Sequence, residues 1–264
     1  MAPPFLFFPE YGLKPNSLTM FKRILNWLNR KSYVSPVAVD ATNGNMKKFL
    51  IVGLGNIGAE YVGTRHNAGF MVADRLVADC SGQWKSCRYG EMAVVRVKNC
   101  ELMVLKPSTF MNLSGTAVRY WMNQEKLPLE NLLIIVDDLA LPFGTLRLRT
   151  RGSDAGHNGL KNIASELGNQ NYARLKFGVG NDFARGAQID FVLGKFPPEE
   201  QAELPARLEK AADAVKAFCL SGASFAMTHF NGKYLRVAST LTNFQPTPYG
   251  AFSESGRPGL SPAI

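Results

Sequence analysis

Histidine is scarce in this chain, with three among 264 residues: His66, His157 and His229. Few groups are therefore available for acid–base work near neutral pH, where imidazole titrates without help from its surroundings. Cysteine is scarce too. Cys80, Cys87, Cys100 and Cys219 stand at irregular spacings with no C-x-x-C pair. That argues against a disulfide framework or a zinc site and fits reduced thiols in the cytoplasm. No metal-ligand spacing of the H-E-x-x-H kind occurs, so no metal is expected. No run of about 18 apolar residues appears, so no membrane span is expected. No internal repeat is visible.

Basic and apolar residues are present in good supply. The hydrophobic share is 46% and the formal net charge is +9. The length suits one sizeable α/β domain. The charge favours a polyanionic partner, with lysines kept for solubility as the plain alternative. Residues 1–45 differ in composition from the centre of the chain. "MAPPFLFFPEYGLKPNS" is rich in proline and aromatics, and "MFKRILNWLNRK" is short, basic and amphipathic. This segment reads as a dispensable extension or a mis-assigned start rather than a targeting signal, with Met46 opening the domain proper. The core then spans residues 46–234. Residues 235–264, rich in Ser, Thr, Pro and Gly, read as a disordered tail.

Within the core, strand-like runs fall at 49–52, 92–97, 102–106, 132–136, 145–149 and 175–179. Helical patterns fall at 68–80, 116–125, 160–167, 198–220 and 224–231. This order predicts a single three-layer α/β domain with a central sheet flanked by helices. The runs 92–97 and 102–106 suggest an antiparallel hairpin, so the sheet should be mixed.

The first strand ends in Gly53-Leu54-Gly55-Asn56-Ile57-Gly58, a G-x-G-x-x-G pattern. In a dinucleotide site the helix opens at those glycines and its N-terminus meets the pyrophosphate. Here the helical period starts only about ten residues later, and no acid ends a second strand. NAD binding is therefore demoted, and the loop becomes a glycine-lined floor with Asn56 in it and His66 at its far end.

Other polar residues stand at strand ends. "PSTFMNLSG" offers Phe110, Met111 and Asn112, "DDLALPFG" offers Asp137, and "RGSDAGHNGLK" offers His157 and Asn158. Singly each has an ordinary role as a helix cap or turn former. Together they suggest one histidine, one aspartate and three asparagines around a site. An imidazole beside a carboxylate takes a proton from water attacking an ester or amide, and asparagine amides donate to a developing oxyanion. That is general-base hydrolysis without a cofactor. Arg147, Arg149 and Arg151 alternate in "TLRLRTRG", so on a strand they share a face. Lys161, Arg174, Lys176, Arg185 and Lys195 lie downstream. A solvated edge is one reading; a phosphate-binding strip is the favoured one.

The stretches "LIVGLGNIGAEYVGTRHNAGF", "LKPSTFMNLSG", "VDDLALPFGTLRLR", "GHNGLKNI" and "FVLGK" together resemble bacterial-type peptidyl-tRNA hydrolase over about residues 47–233. The resemblance implies an enzyme that cleaves the ester joining peptide to tRNA. Its partner would be peptidyl-tRNA, with no cofactor, no metal, no membrane and no obligate protein partner, in a cytoplasmic monomer. It makes His66 the base that activates water and Asp137 its holder. Asn112 and Asn158 would bind near the ester, with Phe110 and Met111 lining the cleft. Asn56 would recognise the peptide and reject free aminoacyl-tRNA, and Tyr61 would contact the tRNA 3′ end. Arg149 and Lys176 would clamp the 5′-phosphate, and Arg185 would lie near the substrate channel. The chain departs from the familiar pattern at Val136, Ala140, Ser153, Asp154 and Ile57, positions that bear on rate and loop shape. A non-enzymatic RNA-binding relative, of the plant intron-splicing kind, is the competing reading. A dinucleotide-dependent oxidoreductase is a distant third.

Overall fold

The computed structural model describes residues 46–232. The expectations for residues 1–45 and for the tail from 235 lie outside the described residues. Seven strands form one sheet: β1 (Lys47–Gly53), β2 (Lys85–Cys87), β3 (Gly90–Val97), β4 (Cys100–Pro107), β5 (Leu132–Asp138), β6 (Leu146–Arg149) and β7 (Ala173–Gly178). Their spatial order is β2-β3-β4-β1-β5-β7-β6. β1 runs parallel to β4 and β5, and β5 parallel to β7. β2–β3, β3–β4 and β6–β7 are antiparallel. The sheet is mixed, and the 92–97/102–106 hairpin is present.

The helices are α1 (Ala68–Asp79), α2 (Ser114–Gln124), α3 (Asn158–Leu167), α4 (Gln188–Leu193) and α5 (Pro198–Phe230). Neighbouring residues of each central strand serve opposite cores, as a period of two requires. Phe49, Ile51, Leu133 and Ile135 join α1 and α5 on one face. Leu50, Val52, Ile134 and Val136 join α2 and α3 on the other. With both faces covered, β5 is buried throughout and reads as an unbroken apolar run closed by two aspartates.

Two elements lie outside the expected pattern. β2 has three residues, too few to show alternation. α4 has six and no side-chain cap at its start, so little local signal marks it. The two expected C-terminal helices are the two parts of α5, which is kinked at Gly222, whose φ of 84° is not helical. The separation of α1 from the glycine loop is as expected: α1 begins at Ala68, ten residues beyond Gly58.

Candidate active site

The loops after β1, β4, β5 and β7, with the loop into α3, surround a cleft of about 610 Å³. Open α/β sheets place ligands at the carboxyl ends of their parallel strands, and Asp137 stands there on β5. His66 arrives on a single 3-10 turn, Arg65–Asn67, that runs directly into α1. Gly69 in the first turn of α1 makes this approach possible, because a Cβ there would run into the carbonyls of Leu54 and Ile135.

His66 Nδ1 lies 3.0 Å from each oxygen of Asp137. A second imidazole reaches the same carboxylate, with His157 Nε2 at 3.1 Å from Asp137 Oδ1. The N–H groups of Gly159 and Leu160 donate to His157 Nδ1, so this ring caps α3. An accepting Nδ1 carries no proton, so Nε2 holds it and donates to Asp137. His66 likewise commits its Nδ1–H to the carboxylate, which leaves Nε2 with its lone pair. Asp137 is buried, which by itself would raise its pKa; the two imidazoles that meet its carboxylate, His157 foremost and then His66, outweigh that and hold it well below the carboxylate range. For His66, burial opposes the charge, yet the hydrogen bond and charge of Asp137 prevail and raise its pKa above the ordinary 6.5.

Sequence reasoning picks out His157 without giving it this role. Its place immediately before a helix, in a chain with three histidines, is the available signal. Asn67 escapes it as well. Its Oδ1 accepts from the Asn56 N–H at 2.7 Å and its Nδ2 donates to the Asn56 carbonyl at 2.9 Å. A buried side chain thus pairs with the glycine loop as a strand would. Arg65 ties the same turn to α4, donating to the carbonyls of Phe191 (3.3 Å) and Lys195 (2.9 Å) with its guanidinium over the Phe191 ring. Ile189, Val192 and Leu193 of α4 give the cleft its apolar wall.

Of the residues singled out from sequence, Asn56, His66, Met111, Asp137, His157, Asn158 and Lys176 line this cleft. Asn112 is exposed on the turn Met111–Leu113, and Phe110 beside it is 77% exposed. Neither is part of the cavity lining, and nor are Tyr61, Arg149 and Arg185. Arg185 is exposed in the turn before α4. Arg147 and Arg149 do share the outward face of β6. Lys176 lies opposite Arg147 in the neighbouring strand and pairs with Asp138 Oδ2 at 2.7 Å. Arg174 must be taken out of the phosphate strip. It is 1% exposed, stacks on Tyr172 and donates to the carbonyls of Ser153 and Gln170.

Among the described residues, His66, Asp137 and His157 are the group with metal-ligating atoms close together, within 4.8 Å. Their 3.0–3.1 Å contacts are hydrogen-bond lengths, and the tautomer of His157 points a proton at the carboxylate. A metal ion would have to displace that proton and the one on His66, so the arrangement suits proton transfer.

An imidazole held by a buried carboxylate, beside asparagines at the open end of an α/β sheet, is the equipment of a hydrolase. A family model described as peptidyl-tRNA hydrolase matches residues 50–238. A peptidyl-tRNA hydrolase of Parabacteroides distasonis is 63% identical over 186 residues, 70% of this chain and all of that protein. One from Porphyromonas gingivalis is 59% identical over 184 residues, again the whole of that protein. The crystal structure of peptidyl-tRNA hydrolase from Acinetobacter baumannii is similar at a TM-score of 0.67 and 32% identity, covering 72% of this chain and 98% of that one. The chain belongs to the peptidyl-tRNA hydrolase family, and it is an enzyme.

Proposed function

We propose that the chain hydrolyses the ester between a peptide and the terminal ribose of tRNA, with His66 as general base. His66 Nε2 takes a proton from water as its oxygen attacks the ester carbonyl. Asp137 keeps the ring in the required tautomer and stabilises the imidazolium. The bond from carbonyl carbon to ribose oxygen then breaks, the imidazolium proton passes to that oxygen, and free tRNA and the peptide leave, the new carboxylic acid losing its proton to solvent. Asn158 and Asn112 donate to the carbonyl oxygen as charge develops there, each worth roughly 100- to 1,000-fold in rate. Asn56 binds the first peptide unit, with Met111 and Phe110 beside the chain. Tyr61 meets the tRNA 3′ end. Arg149 and Lys176 hold a phosphate and Arg185 flanks the channel. The contact between His66 and Asp137 at the cleft carries this reading.

The test is release of an N-acetyl-amino acid from N-acetyl-aminoacyl-tRNA by wild type and His66→Ala, with and without EDTA. Hydrolysis insensitive to EDTA that falls by roughly 100-fold or more without the imidazole is expected. Binding of tRNA with the ester left intact would make the chain an RNA-binding relative. Replacing Arg149 and Lys176 by alanine should raise KM and flatten its salt dependence. The phosphate assignment fails if neither changes. The enzyme acts as a cytoplasmic monomer with no obligate protein partner, and residues 46–234 form its catalytic domain. Light scattering, and activity of a chain begun at Met46, test those two points.

A further inference from the structure

A second cavity, of about 320 Å³, is lined by Tyr89, Thr116, Arg119, Tyr120, Asn123 and Gln124. Arg88 stacks on two of these residues, with its guanidinium 5.2 Å from the Tyr89 ring and 4.9 Å from the Tyr120 ring. The two tyrosines meet edge to face at 5.4 Å, and Trp121 packs edge-on against Tyr120 at 5.2 Å. Trp121 Nε1 donates to the Arg88 carbonyl at 2.9 Å, which ties the cluster to the turn between β2 and β3. Tyr89 occupies the tight turn between β2 and β3 at φ 68°, a region that bulky residues seldom adopt.

The cavity is connected to the catalytic cleft through one loop. Ser108 donates its N–H to the Tyr89 carbonyl at 2.8 Å. The loop that starts there carries Phe110 and then Met111, which lines the cleft. Thr116, on the cavity's wall, follows Met111 by five residues, across the start of α2 at Ser114.

We propose that this cavity is a second RNA-binding site, which stacks one unpaired nucleotide of the tRNA substrate. The proposal rests on the peptidyl-tRNA reading above. Aromatic rings with a stacked guanidinium offer a platform to any base, since every base has a π-face. The amides of Asn123 and Gln124 donate and accept at a base edge. Arg88 and Arg119 supply positive charge for the adjoining phosphate. Arg119 pairs with Glu166 at 3.0 Å, but it is 55% exposed, and so exposed a pair yields readily to a phosphate. A neutral peptide would need neither guanidinium. None of these residues contributes to the hydrolytic site.

The test is binding of a dye-labelled single-stranded oligoribonucleotide, followed by fluorescence anisotropy, to the full chain and its variants. Tyr120→Ala should weaken binding roughly 5- to 100-fold, the range for losing one base–aromatic stack, whereas Tyr120→Phe keeps the ring and the affinity. Arg88→Glu with Arg119→Glu should weaken it as much. Both side chains are exposed, so this variant does not depend on repacking a core. The same pair should raise KM for N-acetyl-aminoacyl-tRNA. His66→Ala should leave oligonucleotide binding intact, so failure of the base assignment and failure of this site give different results. Wild-type affinity in both Tyr120→Ala and the charge-reversed protein would overturn the proposal. So would a peptide displacing the oligonucleotide from the cavity.

Discussion

Two loops bring an imidazole to Asp137, and they are held in different ways. The loop from β1 to α1 is tied to other elements at both ends, with residues 57–60 exposed between. Leu54 donates to the Ile135 carbonyl, Asn67 clamps the Asn56 backbone, and Arg65 donates its N–H to the Gly194 carbonyl. The loop from β6 to α3 is mostly exposed between Thr150 and Gly156. It passes through positive φ at Gly152, Ala155 and Gly156, and Asp154 supplies its internal bonds to Gly156 and His157. His157 is placed by capping α3 rather than by its own loop. Segments with few buried contacts open at lower free energy than tied ones. The imidazole proposed as the base therefore sits on the more tightly tied loop, and the second imidazole follows a more exposed one, held by its cap on α3.

Unequal losses at the two histidines should give the largest effect. His66→Ala should lower kcat by roughly 100- to 10,000-fold, and His157→Ala by no more than about tenfold, because Asp137 would keep its bond to His66. Equal losses in single-turnover rates would break the comparison.

Asp137 links the two loops, and its removal should show in pH dependence. Only neutral His66 accepts a proton, so kcat/KM should rise with pH to a midpoint above 6.5, since its pKa is raised from that value. Asp137→Asn should lower kcat by about 100-fold or more and move the midpoint down. The stability contributed by charged His66 is complete below pH 6.5 and lost as pH rises through the raised pKa. His66→Ala should therefore flatten the fall in Tm on that side. The contribution of Asp137 is present above its ordinary 3.8 and lost only as pH falls through its lowered value.

Asn67→Ala should cost about 2–3 kcal/mol, because two bonds go and two backbone groups lose their partners. A fall in Tm together with a fall in kcat is expected; a fall in Tm alone would mean that the clamp holds the fold but not the site. At the other loop, Ala155→Gly should change little. It relieves a φ of 51°, raises stability by at most about 1 kcal/mol, and leaves kcat within about twofold by the same reasoning. A large kcat change there would show that this loop is part of the catalytic frame.

The layout of strands and helices is legible because apolar runs and helical periods act over a few residues. His66, Asp137 and Asn158 stand out as polar residues at the ends of such runs. β2 and α4 are not legible, since three and six residues carry little periodicity. The apolar wall that α4 gives the cleft, and its fastening by Arg65, go unseen with it. Arg174 looks like one more surface charge. Its burial follows from facing Tyr172, Ser153 and Gln170 at once, which no local pattern announces.

Local sequence alone dictates that β1 and β5 are covered on both faces, that α1 starts too late for a dinucleotide turn, and that Asp137 ends a buried strand. Each depends on neighbours within a helical turn or a few residues of strand. The partners that Asp137 meets are a matter of tertiary structure. His66 lies 71 residues away and His157 20, and they converge because β1 and β7 flank β5 and α3 returns across the sheet. Such contacts depend on strand order and register, which packing of the whole core selects and no short segment encodes.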